Sequence, residues 1–89
     1  MNLMTKAEFT IGSKEKHTIT VEATNTFVRR LKVVIDGKEV VKTLWSKYSG
    51  ISPNFSVGDK EKHQIEVKVN GYFVPKITLL VDGKLADST

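Results

Sequence analysis

The residues best suited to chemistry near neutral pH are two histidines, and both close the same tetrapeptide: Lys-Glu-Lys-His at 14–17 and again at 60–63. An imidazole titrates near pH 6.5 and moves protons or binds metals through its ring nitrogens. If His17 and His63 met across the molecule, they would form a titrating pair or part of a metal site. Two imidazoles alone are a poor site for zinc, which usually takes at least three protein ligands. The plainer reading is favoured. Each histidine sits at the rim of a core beside a charged turn, and there are two because the whole segment is doubled. No metal ligand is assigned.

The remaining chemistry is thinner. Acid catalysis needs paired carboxylates in a cleft. Asp36 and Asp82 each precede a glycine and are explained by turns, where Asp tolerates left-handed backbone. Serines occur, but no Gly-x-Ser-x-Gly elbow presents a nucleophile. "IGSKEK" and "VDGK" combine glycine with lysine, yet they lack the spacing and following helix of a phosphate loop. The chain is therefore expected to be no enzyme, with no catalytic residue and no cofactor.

The elements that hold these residues are written twice. A shift of 46 positions aligns residues 9–38 with 55–84 without a gap, and 13 of the 30 pairs are identical, from Phe9/Phe55 and Gly12/Gly58 to Lys38/Lys84. Two copies are too few for a solenoid, so they imply two similar sheets related by an approximate two-fold axis. Within each copy the period is two. His17, Ile19, Val21 and Ala23 share one face against Thr18, Thr20 and Glu22; His63, Ile65, Val67 and Val69 do the same against Gln64, Glu66 and Lys68. Such alternation marks half-buried strands, and the Val, Ile, Thr and Phe content agrees. Residues 39–48 are the one stretch that admits a helical turn.

Asp36-Gly37 and Asp82-Gly83 read as two-residue type I′ hairpin turns. At Asn70-Gly71 a two-residue turn would put Lys76 on the apolar face opposite Ile65. A bulged three-residue loop is preferred because a one-residue slip turns every side chain over. That loop pairs Val69 with Phe73, Val67 with Pro75 and Ile65 with Ile77; in the first copy, Ala23 with Phe27 and Ile19 with Leu31. The strands fall near 6–11, 16–24, 27–35 and 38–45, then 54–57, 62–69, 73–81 and 84–87. Repeat one covers about 6–45, a linker 46–53, and repeat two 54–87. The expected fold is all-β, an antiparallel β-sandwich of eight strands in a single 89-residue domain.

Composition narrows the setting. Cysteine is absent, which removes disulfides and thiol chemistry and fits a reducing compartment. "MNLMTKAEF" has no apolar run of a signal peptide, and "VVI" and "LLV" are far short of the roughly 20 residues a membrane span needs. A cytoplasmic location and no membrane are expected. The net charge is +4, with both signs interspersed, whereas nucleic-acid binders concentrate basic groups on one face.

One stretch resembles a known family. "VIDGKEVVKTLW", a glycine, "FSVG", then a strand, a hairpin and "LLVDGK" resemble the Fas apoptosis inhibitory molecule family. Asp36, Gly37, Lys38, Glu39, Trp45, Gly50, Phe55, Val57, Gly58, Asp82, Gly83 and Lys84 carry the likeness over nearly the whole chain. The resemblance implies a compact β-sandwich and a non-enzymatic, protective or regulatory role through contacts with other proteins. This chain has a single such domain, whereas family members of the animal type look like two in tandem.

A protein partner is accordingly expected, with the chain a monomer or weak homodimer. The first candidate surface is the outer face of the third strand in each copy: Val28, Arg30, Lys32 and Val34, with Val74, Lys76 and Leu80. Valines beside Arg and Lys on an outward face suit a binding patch; ordinary β-propensity explains them equally. Trp45 reads as a core plug over an exposed docking aromatic with Tyr48. The alternative function, disfavoured, is binding of nucleic acid or another acidic polymer through Arg29, Arg30, Lys32 and the turn lysines.

Overall fold

A computed structural model describes residues 4–26, 29–45, 53–71 and 74–88. Eight strands follow one another: β1 (Met4–Ile11), β2 (His17–Thr24), β3 (Arg30–Ile35), β4 (Lys38–Leu44), β5 (Asn54–Val57), β6 (His63–Asn70), β7 (Lys76–Val81) and β8 (Lys84–Leu85). No helix occurs among the described residues; of the stretch 39–48 that admits a helical turn, 39–44 is strand and 46–48 lies outside the described residues. The strands form two antiparallel meanders, β1-β2-β3-β4 and β5-β6-β7-β8.

The period-two pattern decides which side of each meander is dry. Ile19, Val21, Ala23, Leu31 and Val33 from the first sheet and Ile65, Val67 and Leu79 from the second are almost wholly excluded from water. Phe9, Ile11, Trp45 and Val57 complete the same cluster. The two sheets thus press their apolar faces into one core, as a β-sandwich does.

Both Asp-Gly turns are of type I′. Asp36 and Gly37 have φ of 50° and 81°, Asp82 and Gly83 of 53° and 82°, so both central residues lie in the left-handed region that this turn requires. Ile35 faces Lys38 and Val81 faces Lys84 across them. A bulge between Val33 and Val34 leaves Val33 opposite Val41 and Val34 opposite Glu39, which bends the β4 edge.

The other hairpin registers differ from the expected ones by four residues. Ile65 pairs with Val81, Val67 with Leu79 and Val69 with Ile77; Ile19 pairs with Ile35 and Ala23 with Leu31. The three-residue loop is thus replaced by a longer one, and the ladder stops at Asn70–Lys76. Proline is not the cause, since the first copy slips by the same four residues with Arg29 at the equivalent position. Pro75 only withholds an N–H from the ladder at its own position. It lies buried ahead of β7, its carbonyl accepting a hydrogen bond from Thr5 Oγ1 of the other sheet. Gly71 folds back at φ 122°, where a Cβ would stand 2.4 Å from the Val74 carbonyl oxygen. Four is an even slip, so every side chain keeps its face.

Burial sorts the strand residues for a stability test. Ile65→Ala, at a site with no exposure, is expected to cost about 2–5 kcal/mol. Leu85→Ala, at a residue 69% exposed, is expected to change stability by less than about 0.5 kcal/mol. Urea midpoints at constant slope measure both.

Candidate interaction surface

Each histidine is held from both sides. His17 Nδ1 lies 2.6 Å from Asp36 Oδ2 and Nε2 lies 2.6 Å from Glu15 Oε2. His63 repeats the arrangement with Asp82 at 2.6 Å and Glu61 at 2.5 Å. Only a doubly protonated ring donates from both nitrogens, so the geometry suits an imidazolium. The aspartates are set by their turns: Asp36 Oδ1 accepts the Thr18 N–H at 2.9 Å, and Asp82 Oδ1 the Gln64 N–H at 2.8 Å. The rings stand half-buried at the core rim beside the Lys-Glu-Lys loops, as the plainer reading has it, and each is engaged by carboxylates of its own repeat. Among the described residues no group of three or more His, Cys, Asp or Glu side chains is arranged so that it could hold a metal ion.

The glutamates then cross between repeats. Glu15 accepts the N–H groups of Asp59 at 2.8 Å and Lys60 at 3.0 Å. Glu61 accepts those of Ser13 and Lys14, both at 2.9 Å, and the Ser13 hydroxyl at 3.0 Å. Each loop therefore cradles the other loop's carboxylate. Glycine is needed in both: Gly12 and Gly58 have φ of 96° and 108°, and a Cβ there would lie 2.0 and 1.9 Å from the carbonyl oxygens of Glu15 and Glu61.

Charge follows from these contacts. Hydrogen bonding to His17, then the Asp59 and Lys60 N–H groups, holds the Glu15 carboxyl down at about 2. His63, then the Lys14 and Ser13 amides, drives Glu61 well below the carboxylate range. Asp36 and then Glu15 raise the His17 value; Asp82 and then Glu61 raise that of His63. Asp36 is lowered chiefly by His17, and Asp82 chiefly by the Gln64 N–H.

The expected binding patch divides. Arg30, Lys32 and Val34 lie on the exterior of the first sheet, Lys76 and Leu80 on that of the second, and Val74 in the loop before β7, 62% exposed. With both inner faces in one core, these exteriors point apart and form two surfaces. Val28 and Tyr48 lie outside the described residues. On the first exterior, Lys6, Glu22, Lys32 and Lys42 form a row across all four strands. Glu22 lies 3.7 Å from Lys6 and 3.3 Å from Lys32. A shallow notch of about 280 Å³ opens there, lined by Glu22, Thr24, Arg30, Leu31, Lys32, Glu39 and Lys42.

Trp45 is 4% exposed and donates its indole N–H to the Thr24 carbonyl at 2.9 Å, so it is the core plug. Arg29 stacks on it at 5.4 Å and donates to Asn25 Oδ1 at 3.0 Å, which removes Arg29 from any open basic patch. Sequence reasoning missed the reciprocal glutamates. Their signal was the identity of Gly-x-Lys-Glu-Lys-His in both copies, which loop solvation alone does not demand.

Two four-stranded antiparallel meanders joined at one end by exchanged carboxylates define a small all-β sandwich domain. The sequence profile of the Fas apoptotic inhibitory molecule (FAIM1) family matches residues 10–88. The chain belongs to that family. Neither a curated protein nor a solved structure matches it.

The clasp carries a pH signature. Glutamates lowered in the folded state stabilise it above their ordinary value of 4.5, and this is lost as pH falls toward about 2 for Glu15. Histidines raised in the folded state stabilise it below 6.5, and this is lost as pH rises through their folded values. The melting temperature is expected to be highest between about pH 4.5 and 6.5 and to fall on both sides. Calorimetry checks this, and Glu15→Gln combined with Glu61→Gln should shrink the acid limb strongly and the alkaline limb less, because Asp36 and Asp82 still raise the histidines.

Proposed function

We propose that the domain works without catalysis, by contact with another protein through the exterior of the first sheet around β3. One observation supports this most: the notch over Leu31 carries Arg30, Lys32 and Lys42 together with Glu22 and Glu39. Both signs of charge around a small depression suit a partner with its own fixed charge pattern. Exposed apolar side chains border it, Met4 opposite Thr24 and Leu44 opposite Arg30. A surface for nucleic acid carries basic groups of one sign, and here Lys32 is already paired with Glu22. The cysteine-free sequence favours action in the cytoplasm, as a monomer or weak homodimer.

The test begins with a partner crosslinked in the native host, then purified and titrated against the isotopically labelled chain. Amide shifts are expected at Arg30–Val34, and Arg30→Glu combined with Lys32→Glu should weaken binding about tenfold or more with an unchanged melting temperature. Undiminished binding overturns the reading. Shifts on this face with short DNA or RNA, falling steeply with salt, would favour the acidic-polymer alternative.

A further inference from the structure

The loops that exchange carboxylates also gather lysine. Lys14 and Lys16 flank Glu15, Lys60 and Lys62 flank Glu61, and Lys38 and Lys84 follow the two Asp-Gly turns. The bonds of Glu15 to the 58–62 loop, of Glu61 to the 12–16 loop, and of Asp36 and Asp82 to the histidines bring all these segments to one end of the sandwich. All six lysines are exposed, and among the described residues none is in an ion pair. The neighbouring acids keep their charge, but none of them is paired with these lysines. Glu15, Glu61, Asp36 and Asp82 are bound to imidazole and to backbone N–H groups, which leaves Asp59 as the acid of these loops outside the clasp.

We propose that this lysine crown docks an acidic polypeptide segment, one rich in Asp and Glu. The site is separate from the β3 exterior and stands or falls independently of it. Its chemistry selects the partner. All six are lysines, point charges on flexible stems that can follow carboxylates spaced along a flexible peptide. The loops contain no aromatic residue on which bases would stack. Ile11 and Val57 beside the glycine loops are buried. The exposed apolar neighbours of the turn lysines, Val40 and Leu85, lie on different sheets and make no continuous apolar face to enter a lipid surface. Asp36, Asp59 and Asp82 interrupt the crown; a flexible peptide passes them, whereas a rigid row of phosphates meets their repulsion.

Titrating the labelled full chain with acetylated hexaglutamate at low and near-physiological salt tests this. Expected are amide shifts at Lys14, Lys16, Lys60 and Lys62 that shrink as salt rises. Lys14→Gln combined with Lys60→Gln should weaken binding about fivefold, the loss of two exposed ion pairs. The Arg30→Glu, Lys32→Glu variant should bind the peptide as the parent does, which separates this site from the β3 surface. If the lysine pair perturbs folding, Lys16→Gln with Lys62→Gln supplies the same test. Absence of shifts at low salt, shifts confined to Arg30–Val34, or tighter binding of a charge-matched DNA duplex overturns the proposal.

Discussion

Neither meander can dry its own inner face, and that constraint shapes everything else. Alternation places Ile19, Val21, Leu31 and Val33 on one side of the first sheet and Ile65, Val67 and Leu79 on one side of the second. A four-stranded sheet with such a face left in water is unstable. Each sheet supplies the other's cover, at about 25 cal/mol for every Å² of apolar surface removed from solvent. The hydrophobic effect has no direction, however, and does not say how two sheets should be rotated or slid on each other. Directional bonds at the rim must settle that.

The exchanged glutamates do so. Each spans 44–48 residues of sequence and reaches backbone N–H groups, whose positions are fixed by glycines at φ values other residues avoid. The histidines keep the glutamates aimed, and the turn aspartates aim the histidines. Every side-chain polar atom of Asp36, His17 and Glu15, the relay that ends on the Lys60 N–H, therefore has a charge-assisted partner, a class of bond roughly twice as strong as a neutral one. The same arrangement runs from Asp82 to Lys14.

Much of this was legible before any coordinates. Side-chain parity was readable because period two is insensitive to loop length: the β6-β7 ladder slipped by four residues from its expected register, yet Ile65, Val67 and Leu79 stayed inside. The slip itself was hidden. Asn70-Gly71 marks a reversal but not its length, and the first copy slips by the same four residues although its positions 24–30 hold neither glycine nor proline. The type I′ turns were readable because Asp-Gly is a local rule. The candidate surface was only half readable, since residues equivalent in the two copies share a position in sequence but end on opposite exteriors. The glutamate exchange was least visible. A repeated Lys-Glu-Lys looks like solvated charge, and nothing local says that a carboxylate will serve the other copy.

That exchange bears on how the domain holds together. Within each sheet the contacts are local hairpins, which form readily and cost little loop entropy. Two independent meanders would follow from those contacts alone. The core and the clasp are the long-range terms, and both need two finished sheets. A substitution in one loop is therefore felt in the other: losing Glu15 strips the amides of Asp59 and Lys60 as well as one side of His17. Neighbouring groups coupled in this way do not contribute additively. The doubled sequence is best understood as one cooperative unit in which each half completes the loop chemistry of the other.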